Sequence, residues 1–192
     1  AYWLGLLVGD GGCTEKTRIK LSTQNNHILR FAKRYLEDNK LEYSVGKDDR
    51  RDDLYSVSIN NATYRDKLIR YGLGRCKSIH KDVPILVRRS PKHIVSSFLR
   101  GLYETDGWCC LEGTNKGSVC YASSSEILAR QVHILLLSLG IKAHLMVKPT
   151  MCNDSFVLTI YNTCIDRFAS EVGFDPSGYK IDALNKCLGA ID

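Results

Sequence analysis

Asp10 and Asp106 stand half a chain apart in a sequence of 192 residues, and a glycine follows each. Their surroundings match too. Trp3-Leu4-Gly5-Leu6-Leu7-Val8-Gly9-Asp10-Gly11 and Leu99-Arg100-Gly101-Leu102-Tyr103-Glu104-Thr105-Asp106-Gly107 both read apolar-x-Gly-Leu-x-x-small-Asp-Gly. Each stretch reads as a helix ending at its aspartate, with the glycine as a C-cap. The last turn of a helix carries free carbonyls and partial negative charge, so an acid there is misplaced by about 0.3–1 kcal/mol. A single Asp-Gly is an ordinary turn dipeptide. Two in matched contexts ask for a chemical reason, and a divalent cation supplies one. Carboxylates and helix-terminal carbonyls are the hard oxygen ligands that Mg²⁺ or Ca²⁺ prefers. The expected donors are Asp10, Asp106 and the carbonyls of Gly9 and Thr105.

The helices that must bring these acids together carry a second signal. Gly5 and Gly9 lie four apart, on one helix face, as do Gly101 and Thr105. A glycine inside a helix costs about 1 kcal/mol against alanine, so its presence points to close backbone packing. Two such helices packed in parallel would set Asp10 beside Asp106, the geometry metal-assisted phosphodiester hydrolysis needs.

The pattern downstream of each motif also repeats. Arg18–Thr23 alternates as a strand, 26–39 is an amphipathic helix, 41–45 and 54–59 are strands flanking a charged turn, and a helix carries Tyr64, Leu68 and Ile69. In the second half, 118–123, 141–147 and 156–161 read as strands. Helices are expected over 126–139, 164–172 and 181–188. The reading is therefore α+β: two pseudo-symmetric αββαββα halves, 1–90 and 91–192, related by a pseudo-two-fold axis. The stretch 82–91, with Pro84 and Pro91, reads as their linker.

Composition narrows the classes. At 44% hydrophobic the chain can fill real cores, and its apolar runs are too short to span a bilayer. The eight cysteines include no Cys-x-x-Cys. They read as reduced thiols in an intracellular protein of unspecified compartment. A helical pattern beginning at Ala1 suggests a domain cut from a longer chain. No P-loop, dinucleotide fingerprint or nucleophile elbow occurs. The histidines have no ligand spacing, and Trp108, Cys109 and Cys110 read as core. The net charge of +6 is uneven: residues 1–96 hold 19 Lys and Arg against 11 Asp and Glu, while 97–192 hold 8 against 10. A basic half favours a polyanionic partner.

At the paired motif the chain resembles the LAGLIDADG homing endonucleases in their single-chain, two-motif form, and the second copy resembles the intein-associated version. The resemblance covers nearly the whole chain. It implies a monomer with internal pseudo-symmetry whose two curved sheets form a saddle on double-stranded DNA. It further implies a staggered double-strand cut across the minor groove at a long asymmetric site. Mg²⁺ would be the cofactor, with Ca²⁺ or Mn²⁺ able to substitute in vitro. The last acid of each motif, here Asp10 and Asp106, would bind the metal, with the carbonyls of Gly9 and Thr105. A polar or basic residue beside each metal site is also implied, with Gln24, Lys47 and Lys148 as candidates. Val8 departs from the family, which often has an acid there.

On an alternating strand Arg18, Lys20 and Ser22 share one face, and the resemblance turns that face to DNA. Arg50 and Arg51 in the charged turn, and Arg88 and Arg89 in the linker, would lie along phosphates. The acidic second half would use neutral contacts such as Asn115, Ser118, Tyr121 and Ser123. Two other classes fit the same scaffold: a non-cleaving DNA-binding regulator and an RNA-splicing maturase.

Overall fold

The computed structural model describes residues 1–13, 18–47, 51, 53–74, 77–112, 116–151 and 153–189. The first half runs α1 (Tyr2–Gly9), β1 (Gly11–Gly12), β2 (Arg18–Thr23), α2 (Asn26–Asp38), β3 (Ser44–Lys47), β4 (Tyr55–Asn60) and α3 (Ala62–Arg70). The second runs α5 (Lys92–Asp106), β5 (Gly107–Glu112), β6 (Lys116–Ser123), α6 (Glu126–Ser138), β7 (His144–Lys148), β8 (Ser155–Tyr161) and α7 (Asn162–Glu171). Between the halves lie a 3₁₀ turn, Ser78–His80, and the short α4 (Ile85–Arg88). The last helix is α8 (Lys180–Gly189). The expected αββαββα order is present twice.

The two sheets have the same topology. Both are four-stranded and antiparallel, in the orders β1-β2-β4-β3 and β5-β6-β8-β7. Alternation decides their faces. Ile19, Leu21, Val57 and Ile59 of the first sheet, and Val119, Tyr121, Leu158 and Ile160 of the second, point into one hydrophobic core shared by both halves. Arg18, Lys20 and Ser22 take the opposite face, as their spacing requires.

The halves meet where α1 packs on α5. A methyl added to Gly5 would collide with the Phe98 carbonyl, and one on Gly101 with the Tyr2 carbonyl. These two glycines let the backbones touch.

Three expectations need correction. The stretch 82–91 is no free linker: it contains α4, and Val83 and Val87 are buried. Gly107 caps α5 as expected, but α1 is capped by Asp10 itself, with Gly11 one residue beyond. Gly107 is extended at φ −93°, and both glycines begin strands. Each is needed for space, since an added Cβ would come 2.9 Å from Leu7 Cα at Gly11 and 2.6 Å from the Tyr103 carbonyl at Gly107. Trp108 is not core: on β5 it is 37% exposed, on the face away from the helices.

Candidate metal centre and nucleic-acid face

The parallel approach of α1 and α5 continues to their last residues. A Cβ on Gly9 would collide with Thr105 Oγ1 and lie 3.0 Å from Asp106 Oδ2. Asp10, Asp106 and Gly9 line one cleft with Lys81, Ser78 and Ser123. A neighbouring cleft joins Asp10 and Lys81 to Lys20, Ser22 and Lys77.

The electrostatics suit a cation. Burial raises the Asp10 carboxyl, although Asp10 reaches solvent at the cleft mouth, and Lys81 and then Lys180 oppose the rise. Asp106 is pushed up to about 6, first by burial and then by the like charge of Asp10. Two carboxylates sharing a recess repel, and a hard divalent cation relieves that repulsion. Among the described residues, no group of three or more His, Cys, Asp or Glu could hold a metal ion. The protein would therefore give a cation two carboxylates and backbone carbonyls, leaving positions for water and substrate.

Two lysines stand at the centre and were not singled out by sequence. Lys81 Nζ donates to the carbonyls of Gly9 at 2.6 Å and Gly11 at 3.3 Å. Lys180 is buried and donates to the carbonyls of Tyr103, Glu104, Thr105 and Gly107 at 2.6–3.3 Å. Each cation thus satisfies the orphan carbonyls where a motif helix ends, the complement a helix C-terminus calls for. It also touches the same carbonyls, Gly9 and Thr105, that the sequence offers to a metal. A shared Ser-x-x-Lys, Ser78 to Lys81 and Ser177 to Lys180, does not single them out, because Ser44 to Lys47 has the same pattern.

The other candidates divide. Thr105 sits beside the acids, with Oγ1 donating to Leu102 O at 2.7 Å. Gln24 is exposed past the end of β2 and donates to Asp53 at 3.1 Å; it does not line either cleft. Lys47 and Lys148 sit on β3 and β7, the strands farthest in each sheet from β1 and β5. Lys47 is level with Thr23 through Tyr55, whereas the position level with Ser123 through Phe156 is Val147. Lys47 and Lys148 are therefore one step out of register and belong to opposite faces, so the sheets do not present them as a symmetric pair.

Of the expected nucleic-acid contacts, Arg18, Lys20 and Ser22 lie together on the open face, and Lys20 and Ser22 border the cleft. Arg51, Arg88 and Arg89 are exposed; Arg50 and Asn115 lie outside the described residues. Ser118 faces outward but is recessed at 6% exposure. Ser123 lines the cleft. Tyr121 is a correction. It is fully buried, its ring 5.4 Å from that of Tyr103, because an odd step from Ser118 turns it to the core.

Residues 94–173 match the LAGLIDADG-like domain. The replication factor C small subunit of Thermococcus kodakarensis is 27% identical over 180 residues, covering 91% of this chain and 19% of that protein. The replicative helicase DnaB of Nostoc sp. is 35% identical over 130 residues, 65% of this chain and 14% of that one. The chain thus spans a fifth or less of these curated relatives. Among solved structures, I-DmoI in complex with DNA and Ca aligns with a TM-score of 0.66 at 17% identity, over 96% of this chain and 95% of that one. The homing endonuclease I-WcaI bound to its DNA recognition sequence aligns with a TM-score of 0.66 at 12% identity, over 94% and 84%. At such identities the likeness is one of fold. No helix among the described residues is long and apolar enough to cross a membrane.

Proposed function

The chain belongs to the LAGLIDADG family, and on that premise we propose that it is a site-specific, divalent-metal-dependent DNA endonuclease acting as a monomer. The observation that carries this reading is the meeting of Asp10 and Asp106 in one cleft, at the adjoining ends of two helices in glycine-mediated contact. Two raised carboxyls flanked by two lysines suit a cation and a phosphate. The named complexes of I-DmoI and I-WcaI with DNA support the same reading.

In this reading Asp10 and Asp106, with the carbonyls of Gly9 and Thr105, hold Mg²⁺ between the halves, which divide at 90/91. The cation, when bound, supplies Lewis-acid stabilisation of the phosphate and lowers the pKa of attacking water. Lys81 and Lys180 fix the helix ends that present the acids and add positive charge where the phosphate accumulates negative charge. Arg18, Lys20 and Ser22 anchor a long asymmetric duplex on the first sheet, with Arg51, Arg88 and Arg89 toward its phosphates. The two acids, related by the pseudo-dyad, would serve one strand each and give a staggered cut.

The test is a supercoiled plasmid carrying a target selected by binding, incubated with Mg²⁺. Linearisation is expected. Asp10→Asn and Asp106→Asn should each lose cutting by about a hundredfold or more while keeping DNA affinity. Binding without cutting by the parent chain would mark a DNA-binding regulator. Preference for structured intron RNA would mark a maturase.

The relatives bear different names, a replication factor and a helicase, yet match this one unit over a small share of their length. We infer from this that the unit is an insertion carried by host proteins, as the intein-associated form is. Uninterrupted host sequence on both sides in the genomic reading frame supports this; stop codons on both sides oppose it.

A further inference from the structure

The two sheets turn chemically different faces away from the core. By register, the first sheet's open face carries Arg18 and Lys20 on β2 and Ser56, Ser58 and Asn60 on β4. That surface is polar and basic. The matching face of the second sheet is a shallow apolar trough. Its floor is Cys120, Val157 and Thr159, each under 8% exposed, and its walls are Trp108, Met146 and Tyr161, exposed by 37%, 40% and 52%.

The polar atoms of the trough are directed at one another. Trp108 Nε1 donates to Cys110 Sγ at 3.1 Å, and Cys120 Sγ lies 3.8 Å from both Ser118 Oγ and Thr159 Oγ1. By register this face also carries Lys148 and His144 on the outermost strand and Lys116 at the first position of β6, away from the Trp108, Met146 and Tyr161 walls. The charge of the chain divides in the same sense, basic in the first half and slightly acidic in the second.

Both faces run into the same cleft. Lys20 and Ser22 continue the first face to Asp10, and Ala122 near the end of β6 carries the second to the cleft of Asp106. One extended ligand centred on the cleft would reach both faces. Resting on the endonuclease reading above, we propose that this ligand is read by two chemistries: guanine-directed cations on the first sheet, and apolar contact with thymine methyls on the second. In the major groove the thymine C5-methyl is the base feature an apolar surface recognises, while guanine N7 and O6 attract Arg and Lys. The trough is poor in free donors and rich in contact area, so it suits the first of these features. The half-site beneath the second sheet should then be rich in thymine and the other in guanine.

The experiment selects duplexes from a randomised library with the full chain in Ca²⁺, then substitutes the bases of the selected duplex. Deoxyuridine in place of thymine removes only the methyl. Within the half-site under the second sheet it should weaken binding by about fourfold per contacted methyl, and in the other half-site by less than about twofold. Replacing guanine by 7-deazaguanine should give the reverse pattern. Met146→Ser and Trp108→Ser, both exposed positions, should erase the uracil penalty, whereas Arg18→Ala should leave it intact. Equal uracil sensitivity in the two halves, or a penalty that survives both trough variants, overturns the proposal. Failure to enrich any duplex overturns the DNA reading beneath it, a distinct result.

Discussion

His27 Nε2 lies 2.9 Å from Glu104 Oε2, joining the first helix after one motif to the inside of the other motif, with both side chains buried. The other carboxylate oxygen of Glu104 accepts the Asp175 backbone N–H, and its own carbonyl accepts Lys180. Position 8, its counterpart in the first motif, is an apolar valine. The clasp is therefore one-sided, and it stands two residues from Asp106. Truncating one partner strands the other in the core, which costs about 3–5 kcal/mol for a buried pair, while replacing both by apolar groups costs far less. Glu104→Leu should lower stability by about that amount in urea denaturation, and the double change His27→Leu with Glu104→Leu should recover the share owed to the stranded imidazole, the Asp175 N–H staying unpaired. A double variant as unstable as the sum of the singles would show that the two residues do not act as a pair.

The glycine contact between α1 and α5 admits no extra carbon. Because the obstructing atoms at Gly5 and Gly101 are backbone carbonyls, rotamer changes cannot relieve the clash. Gly5→Ala and Gly101→Ala should each lower stability by about 1–3 kcal/mol despite the better helix propensity of alanine. Thermal denaturation reads the loss. An unchanged or higher Tm would mean that the helices have room to separate.

That contact and the acids were legible because a repeat writes them twice. Gly5 and Asp10 mean little alone, but Gly101 and Asp106 return them in the same order. Strand alternation was equally legible: it placed Arg18, Lys20 and Ser22 together, and applied to the second half it would have separated Tyr121 from Ser118. Lys81 and Lys180 stayed hidden for a physical reason. Each completes a helix end far from it in sequence, and each arrives from a different element, a loop after a 3₁₀ turn in one half and the start of α8 in the other. Nothing local to a lysine says which carbonyls it will satisfy. Lys47 and Lys148 look alike in sequence, and only strand register shows that they belong to different faces.

The raised carboxyl of Asp106 makes cation binding depend on pH. Metal ligands must be ionised, and Asp106 is pushed up to about 6 by burial and by Asp10. Affinity for Mn²⁺, followed by calorimetry, should be flat above that pH and fall about tenfold per unit below it. The metal-free fold responds in the opposite sense. A carboxyl raised in the folded state contributes stability at pH below its unfolded value near 3.8, and that contribution is lost as pH rises through about 6. At pH 8, Asp106→Asn should therefore stabilise the metal-free protein by roughly 1–3 kcal/mol, and at pH 4 the gain should vanish. A constant difference across that range would mean that Asp106 titrates as an ordinary surface acid.

The two lysines should differ in what their loss does. Lys180 is 5% exposed and serves four carbonyls, while Lys81 is half-buried and serves two. Lys180→Met leaves buried acceptors at the end of α5 without a donor, which should cost roughly 1–3 kcal/mol, more than Lys81→Met costs at its more solvated position. Both variants should share one effect. Each lysine holds down the carboxyls of Asp10 and Asp106, so removing either should move the pH midpoint of Mn²⁺ binding upward from about 6. Urea denaturation with the metal titration separates the roles: a midpoint shift in Lys81→Met without much loss of stability marks an electrostatic contribution to the site. Stability losses in both variants with no shift in midpoint would reduce the lysines to helix caps.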